Sequence, residues 1–298
     1  MRHITVLLKE TVDGLNPSSG DIVVDATLGS GGHSLELCNR GLDDLTIIGI
    51  DADSQAIERS RDRLNGLNCK LILEKSYHHK LDEVLETHNI ETIDGAMFDL
   101  GISSNQLEES GRGFSFQREE PLLMTFESQP GKDTVTAEKI LNTWDKEDIE
   151  AILEGFGEEK FSRRIAEAIV LTREEEKIET TTQLVNIVNH SVPKFYLKGR
   201  IHPATKTFQA LRIAVNGEIA NLEESLIKTI DYLAPGKRIA VISFHSIEDR
   251  IVKRLFRRLK EEEIGEIITK RPITPSDEEL SINPRSRSAK LRIFEKKQ

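Results

Sequence analysis

Hydrophobic and polar positions follow two different patterns along the chain. In its first third, short apolar runs rich in β-branched residues alternate with amphipathic segments of helical spacing, such as residues 53–64 and 78–88. Short buried runs that alternate with helices are typical of a parallel sheet built from β-α-β units. We therefore predict an α/β fold whose first four strands lie within residues 21–28, 45–51, 69–74 and 93–101.

The pattern changes in the middle of the chain, where no convincing strand is found and apolar residues recur with helical spacing. Asp145 is a candidate N-cap and Gly157 a candidate helix end. Thr180 and Gln183 have the spacing of a capping box. These features predict a helical segment at residues 105–202.

Strand and helix signals resume after Pro203. A long helical stretch is expected there, followed by a buried strand at 238–244 and a last strand that alternates between faces. Residues 261–288 are rich in charge, Pro and Ser, and predict a loop with one edge strand at most.

The patterns together predict a sheet domain in two parts, residues 1–104 and 203–298, with a helical insertion at 105–202. Ligands bind beyond the carboxyl ends of the strands in open α/β sheets, so we expect the insertion at one edge of the site, as a substrate-recognition element.

Charge is unevenly distributed. The chain has a net charge of -10, which argues against a general polyanion binder, but Lys and Arg outnumber Asp and Glu from residue 237 onward. This basic segment could face phosphates, although solvated helix faces would give the same composition.

The apolar runs also exclude some classes of protein. None approaches the roughly 20 residues of a membrane span, and the first residues lack the features of a secretory signal. Cys38 and Cys69 lack metal-ligand spacing, so we expect small buried side chains in a reducing cytoplasm, not zinc ligands or a disulfide. No metal site is expected.

A glycine-rich string, DATLGSGGHS, joins the first predicted strand to a helix. Gly29, Gly31 and Gly32 would expose backbone N–H groups at the helix N-terminus and let a ligand approach closely. Asp51 ends the next strand, about twenty residues later, where it can accept hydrogen bonds from ribose hydroxyls. The pair predicts a cofactor that contains a nucleoside.

The glycine spacing discriminates between cofactors. A dinucleotide fingerprint requires a third glycine, which G-S-G-G-H-S lacks, so an NAD-dependent oxidoreductase is disfavoured. Asp25 before the loop suits S-adenosylmethionine, which has no pyrophosphate. A tight turn without a ligand is the alternative.

Polar residues follow two further strands at the same expected edge. Asp99 ends the fourth strand, and Ser243 and His245 end the strong strand near the C-terminus. A helix cap is the alternative for Asp99, and a structural histidine the alternative for His245.

Several strings of this sequence, in the same order, resemble the bacterial 16S rRNA (cytosine-N4)-methyltransferases, a family called RsmH or MraW. The resemblance covers nearly the whole chain. The strings that carry it are HITVLL, DATLGSGGHS, IGIDAD, DLGISSNQL, RGFSF, IHPATKTFQALRIAVNGE, RIAVISFHSIEDRIVK and INPRSRSAKLR.

The resemblance implies a class I S-adenosylmethionine-dependent methyltransferase, Rossmann-like with a mostly parallel sheet and an inserted helical domain. The expected reaction methylates the exocyclic N4 of a cytosine in the decoding region of small-subunit rRNA. The small ribosomal subunit is the expected partner, with no obligate protein partner. The cofactor contacts that the resemblance implies are Gly31, Gly32, His33, Asp51, Tyr77 beside the adenine, Asp99 and Gln106.

The chain departs from the family at a few positions. The family usually has Pro where Asn105 stands, and an Asp and an Arg where Leu123 and Thr125 stand. Lys206 replaces a frequent Arg, which keeps the charge but loses the planar fork.

If the chain methylates rRNA as the resemblance implies, the chemistry of several residues predicts contacts with the substrate. Asp99 is a candidate to accept a hydrogen bond from the amino group, with Ser243 and His245 as weaker candidates. Phe114 and Phe116 could stack on an unstacked base or close the core of the insertion. The candidates for phosphate contacts are Arg285, Arg287, Lys290 and Arg292.

Two rival functions remain open at this point. One is a methyltransferase of the same fold that acts on DNA cytosine or a small molecule, although DLGI lacks the two prolines common in amino-methylating DNA enzymes. The other is a scaffold for ribosome assembly that binds the cofactor without turnover.

Overall fold

The fold is described from a computed structural model that covers residues 4–128 and 130–298, without the side chains of residues 104 and 105. The departure at Asn105 therefore lies outside the described side chains. The strands are β1 Ile22–Asp25, β2 Thr46–Asp51, β3 Lys70–Lys75, β4 Ile93–Asp99, β5 Leu233–Ser243, β6 Gly265–Ile267 and β7 Lys290–Lys296.

These strands form one sheet in the order β3-β2-β1-β4-β5-β7-β6. The first five pair in parallel, while β7 is antiparallel to β5 and β6 is antiparallel to β7. The predicted parallel sheet is thus present, and the carboxyl ends of β2, β1, β4 and β5 meet at one edge.

Helices precede, connect and interrupt the strands. None in the described ranges combines the length and apolar character needed to cross a bilayer. The helices are α1 Leu8–Leu15, α2 Gly32–Cys38, α3 Ser54–Leu64, α4 Leu81–Thr87, α5 Ser104–Glu108, α6 Ala137–Thr143, α7 Lys146–Gly155, α8 Ser162–Glu175, α9 Thr181–Ser191, α10 Lys194–Leu197, α11 Thr205–Asn216, α12 Glu218–Tyr232, α13 Ser246–Glu261 and α14 Asp277–Ile282.

The sheet is apolar on both faces, which explains why its strands are near-continuous apolar runs. Neighbouring residues alternate between faces: Val24 and Phe98 pack with α4, α12 and α13, whereas Val23 and Met97 pack with α1 and α2. Helices therefore cover both faces, as parallel sheets require.

The chain divides into two compact units, residues 1–101 with 219–298, and residues 102–218. The second unit is helical, and its core includes Ile140, Leu153 and Leu211. It ends later than the predicted residue 202, because α11 packs against α6 and α7.

The long helical stretch predicted after Pro203 is present, but it is divided into two helices. Gly217 adopts a left-handed conformation with φ 59° and ends α11, after which α12 begins at once. The segment 261–288 also holds more structure than predicted, with β6, α14 and a 3-10 helix at Pro284–Ser288. Capping explains part of this, because the Ser276 hydroxyl accepts a hydrogen bond from Glu279 N.

Other helix signals stand as predicted. Thr180 and Gln183 form the expected capping box at the start of α9. Asp145 precedes α7 without a side-chain capping bond, and Phe156 is the residue that follows its last turn.

The expectation of two unpaired thiols is wrong, because Cys38 and Cys69 form a disulfide with a Cα–Cα distance of 5.6 Å. Cys38 ends α2, and Cys69 immediately precedes β3, the outermost strand on its side of the sheet. Their proximity arises from the parallel pairing of β2 with β3, which local sequence spacing does not reveal.

Reduction of this disulfide should destabilise the protein. The bond closes a loop with a sequence separation of 31, for which loop entropy gives about 3.5 kcal/mol. Urea unfolding with and without dithiothreitol measures the loss. The double variant Cys38→Ser/Cys69→Ser should match the reduced protein and be insensitive to the reductant. Equal midpoints for oxidised and reduced wild type would contradict the prediction.

Candidate active site

Three carboxyl groups end three adjacent strands at the predicted edge of the sheet. Asp25 ends β1, Asp51 ends β2 and Asp99 ends β4, and β1 lies between the other two strands. Parallel pairing therefore brings acidic groups from distant parts of the sequence to one edge, where ligands bind in open α/β sheets.

Asp51 holds the glycine-rich loop in place. Its Oδ2 accepts a hydrogen bond from Gly29 N at 2.8 Å, and its Oδ1 accepts one from Asp53 N at 2.8 Å. Burial raises the pKa of Asp51 to about 6, although both bonds oppose the shift. The carboxylate keeps lone pairs for further donors such as hydroxyl groups.

The loop glycines serve different needs. Gly29 and Gly31 have φ of 54° and 68°, a left-handed conformation that favours glycine, and Gly31 is the N-cap of α2. At Gly32, a Cβ would overlap the side chain of Thr5. Gly32 is therefore required by packing within the protein, a reason that the sequence pattern does not indicate.

Asp25 is buried beneath this loop. Its Oδ2 accepts a hydrogen bond from the Ser34 hydroxyl at 2.7 Å. Burial raises its pKa to about 6 against this bond, and the negative charge of Asp51 adds to the increase.

Asp99 is the least satisfied of the three. Its side chain is 26% exposed, yet its Oδ1 is buried and has no hydrogen-bond partner among the described residues. Burial raises its pKa to about 8, and the negative charges of Asp25 and Glu248 add to the increase. A carboxyl group in this state is a ready acceptor for a cation or an amino group at the rim.

His33 lies beside Asp99 on α2. Its Nε2 is 3.1 Å from the carbonyl oxygen of Val6, so Nε2 carries the proton and Nδ1 is the unprotonated nitrogen in the neutral ring. Nδ1 lies 4.0 Å from Asp99 Oδ2. His33 therefore ties α2 to the N-terminal segment and contacts the rim from within the protein.

Tyr77 follows β3 at the same end of the sheet. Its ring stacks on His79 at a centroid distance of 5.4 Å. Next to it, His78 Nδ1 lies 2.5 Å from the Ser225 hydroxyl, and burial lowers the pKa of His78 to about 4. His78 is thus a neutral packing residue, and Tyr77 retains partial exposure.

The two weaker candidates after β5 have structural contacts. The Ser243 hydroxyl is buried and lies 3.4 Å from the carbonyl oxygen of Lys290. His245 is the N-cap of α13, and its Nδ1 accepts a hydrogen bond from Glu248 N at 3.3 Å. The alternative of a structural histidine thus describes His245 well, because its side chain caps α13.

Glu248 is a residue that sequence reasoning missed. Its buried carboxylate accepts hydrogen bonds from the backbone N–H groups of Phe244 and His245, at 2.8 and 3.2 Å. It fixes the turn after β5 and adds negative charge near Asp99. The H-x-x-E spacing was the available signal, but capping boxes are usually sought with Ser or Thr.

The remaining cofactor candidate, Gln106, belongs to the helical unit. Its Oε1 accepts a hydrogen bond from Ser103 N at 3.0 Å, and its own N–H donates to the Ser103 hydroxyl at 3.1 Å. These two hydrogen bonds lie at the start of α5. They use the side-chain carbonyl oxygen and the backbone N–H of Gln106. The side-chain NH₂ group of Gln106 is the part that can donate hydrogen bonds.

The two predicted aromatic residues, Phe114 and Phe116, differ in how deeply they are buried. Phe114 is buried in the core of the helical unit, where it stacks on Phe126 at 5.9 Å. Phe116 is half-buried, and its ring stacks on His202 at 4.5 Å. The core alternative therefore describes Phe114, and Phe116 alone keeps partial access to solvent.

Two departures from the family have visible contacts. Thr125 is buried, and its carbonyl oxygen accepts a hydrogen bond from the Arg112 guanidinium at 3.2 Å. Lys206 Nζ donates to the carbonyl oxygen of Glu158 at 2.6 Å. Leu123 is half-buried in the same string as Thr125.

The four candidates for phosphate contacts differ in exposure and in ion pairing. Lys290 and Arg292 both bind Asp249, at 3.1 and 2.7 Å, which joins β7 to the first turn of α13. Arg285 and Arg287 are exposed on the 3-10 helix. Among the residues that the structure describes, no cluster of three or more His, Cys, Asp or Glu side chains could hold a metal ion.

Comparison with known proteins adds independent information. A family model described as the MraW methylase family matches residues 1–297. The chain is 46% identical over 293 residues to ribosomal RNA small subunit methyltransferase H of Sulfurihydrogenibium sp. (strain YO3AOP1), covering 98% of both chains. It is equally similar to the enzyme of that name from Persephonella marina, with 46% identity and 98% coverage of both. Identity to the Brevibacillus brevis protein is 40% over 309 residues, covering 99% of this chain and 98% of the other.

The raised pKa of Asp99 predicts a pH-dependent gain in stability for Asp99→Asn. The folded-state pKa is about 8 and the ordinary value is 3.8, so between these values the folded protein holds a proton that the unfolded chain has lost. Wild type should therefore lose stability relative to the variant as pH rises, by up to about 1.4 kcal/mol per pH unit, until the difference levels above pH 8.

Urea unfolding of both proteins at several pH values between 5 and 9 measures this difference. Asp62→Asn, an exposed position on α3, is the matched control and should follow wild type throughout. Parallel stability curves for wild type and Asp99→Asn would show that Asp99 ionises freely in the folded protein.

Proposed function

Because the chain belongs to the MraW methylase family, we propose that it methylates the exocyclic N4 of a cytosine in the decoding region of 16S rRNA. The protein is an S-adenosylmethionine-dependent rRNA methyltransferase with a class I fold. One observation supports placing the reaction at this edge of the sheet. The Oδ1 atom of Asp99 is buried at the rim and has no hydrogen-bond partner among the described residues.

The rim residues fit this cofactor. Asp51 has lone pairs left for ribose hydroxyls after bonding the backbone of Gly29 and Asp53. The ring of Tyr77 is partly exposed at the end of β3, where it can lie against an adenine. The raised pKa values of Asp25 and Asp99 show uncompensated burial that a cationic ligand would relieve. When bound, the cofactor supplies an activated sulfonium methyl group.

Asp99 is the residue that we propose to contact the amino group. Cytosine N4 is a weak nucleophile because its lone pair is delocalised into the ring. A carboxylate that accepts a hydrogen bond from N4 favours the pyramidal nitrogen and offsets the positive charge that develops on it. A carboxyl group with a pKa of about 8 can also hold the proton that the amine then releases.

The surroundings of Asp99 prepare it for this role. Asp25 and Glu248 disfavour its ionisation before a cation arrives, and His33 limits its movement from the α2 side. Glu248 fixes the β5–α13 turn by accepting two backbone hydrogen bonds. These residues position and tune Asp99, and the rest of the catalytic task is alignment and exclusion of water.

The target base must leave its stack to reach the rim, which is easiest in single-stranded rRNA. Phe116, half-buried against His202, remains our candidate for a stacking contact. We also propose that the helical unit recognises the substrate, that Gln106 contacts the cofactor, and that the activity resides in the cytoplasm, where ribosomal subunits are assembled.

Transfer of labelled methyl to small ribosomal subunits that lack the modification tests the function. Label should appear on one rRNA cytosine and be absent from duplex DNA, with naked rRNA run alongside. Asp99→Ala is the paired variant. If Asp99→Ala loses turnover but still binds the cofactor, Asp99 takes part in the methyl-transfer step. Label on DNA, or on no RNA despite tight cofactor binding, would contradict the proposal.

The pH dependence of kcat/KM provides a separate prediction. If Asp99 acts as a carboxylate, kcat/KM for S-adenosylmethionine should fall about tenfold per pH unit below pH 8 and level above it, because this ratio reports the pKa of the enzyme without bound cofactor. Asp99→Asn should have a much lower kcat/KM that lacks this limb. A limb near pH 8 that persists in the variant would assign the titration to another group.

Arg285 and Arg287 generate a prediction for RNA binding. Both are exposed, so Arg285→Ala/Arg287→Ala should weaken binding and reduce the salt slope of log K by about 1.4, for two contacts to single-stranded phosphates. Lys260→Ala is the control, because it removes an exposed cation from α13, outside the 3-10 helix. An unchanged salt slope in the double variant would remove these residues from the RNA surface.

A further inference from the structure

The helical unit exposes an aromatic ring on a short helix. Phe195 lies on α10 and is 71% exposed, whereas large apolar side chains are usually buried. Leu197 and Ile201, at 42% and 50% exposure, are in the same stretch of chain. A single exposed apolar residue needs no explanation, but several close together in the chain mark a binding surface.

The ring has a fixed support, which we call the Phe195 platform and define as Phe161, Phe195 and Tyr196. The Phe161 ring meets the other two edge-on, at 6.3 Å from Phe195 and 5.0 Å from Tyr196. The Tyr196 hydroxyl donates to Glu159 Oε2 at 2.8 Å, and Phe161 N donates to Glu159 Oε1 at 2.9 Å.

Glu159 is almost completely buried, so both hydrogen bonds are shielded from water. Two of the three aromatic residues, Phe161 and Tyr196, are therefore anchored by one carboxylate, and the Phe195 ring contacts Phe161. A preorganised ring loses little conformational entropy when a partner stacks on it.

The chain around Phe195 is rich in cations. Residues 193–206 contain four Lys or Arg residues and no Asp or Glu, in a chain whose net charge is -10. Lys194, Lys198 and Arg200 are exposed, and none forms an ion pair within residues 4–128 and 130–298. In addition, the Arg164 guanidinium lies 5.9 Å from the centroid of the Phe161 ring. The charge of residues 193–206 is thus opposite in sign to that of the whole molecule.

An exposed ring between cations is the combination that binds single-stranded nucleic acid, because the ring stacks on a base while the cations contact the backbone. We propose that the Phe195 platform binds an unpaired base of the rRNA substrate, with Lys198 and Arg200 on the adjacent phosphates. This contact is proposed in addition to the stacking of the target base on Phe116. The proposal rests on the proposed function in one respect, namely that the substrate is RNA.

The variant Phe195→Ala tests the stacking contact by equilibrium binding, with no methyl transfer involved. Fluorescence anisotropy with a labelled single-stranded RNA oligonucleotide of about 12 nucleotides should show binding weakened about 5- to 150-fold, the equivalent of one lost stacking contact. Phe195→Tyr keeps the ring and should bind as wild type does. Leu171→Ala removes another exposed apolar side chain of the helical unit, 58% exposed on α8, and should have no effect.

The variant Lys198→Ala/Arg200→Ala tests the backbone contacts. Its salt slope of log K should be lower than that of wild type by about 1.4, for two single-strand phosphate contacts. The far-UV circular dichroism and the urea unfolding midpoint of all of these variants should match those of wild type, which shows that the helical unit folds.

The outcomes separate this proposal from the proposed function. If wild type methylates small subunits but Phe195→Ala and the double variant bind RNA as wild type does, the platform is not an RNA site. If RNA binding depends on Phe195 but no methyl transfer is found, the platform is an RNA site and the proposed enzymatic function is wrong.

Sedimentation of each variant completes the test. A wild-type dimer that Phe195→Ala dissociates without loss of RNA affinity would instead make this surface an interface between copies, which overturns the proposal.

Discussion

The parallel pairing of β1 with both β2 and β4 is the constraint on which the site depends. Asp25 is in register with Gly49 of β2 and with Met97 of β4, so the acidic ends of the three strands meet at one edge. Helices cover both faces of this sheet and remove water from these carboxyl groups, which raises the pKa of each. The burial that stabilises the sheet therefore also produces the uncompensated acceptor at Asp99. Stability and function are in opposition at this residue.

The apolar runs were sufficient to predict the strands and the edge where the site lies, because both faces of a parallel sheet are buried and its strands end together. The local polar spacing of Thr180 and Gln183 likewise predicted a helix start that the structure confirms. The pairing of Cys38 with Cys69 and the burial of Glu248 beside Asp99 could not be predicted in this way. Both depend on which segments the fold brings together. The H-x-x-E spacing indicates only the cap of α13 and not the proximity of Glu248 to Asp99.

The sequence also did not show which side chains of one chemical type are buried and which are exposed. Arg292 and Arg287 are close in sequence, yet one is buried against Asp249 and the other is exposed. Phe114 is buried, whereas Phe195, which the pattern did not single out, presents its ring to solvent beside Phe161. The contacts that would recognise RNA are thus set by exposure, and exposure is a property of the folded chain.

The central claim is that Asp99 stays largely un-ionised at the rim until a cationic ligand arrives. A ¹³C NMR titration of the aspartate carboxyl groups, assigned with Asp99→Asn, measures this directly in free protein and with S-adenosylmethionine added. The account predicts a pKa of about 8 for Asp99 in the free protein and a clear decrease on cofactor binding. An ordinary aspartate pKa in the free protein, or a raised value that the cofactor leaves unchanged, would contradict it.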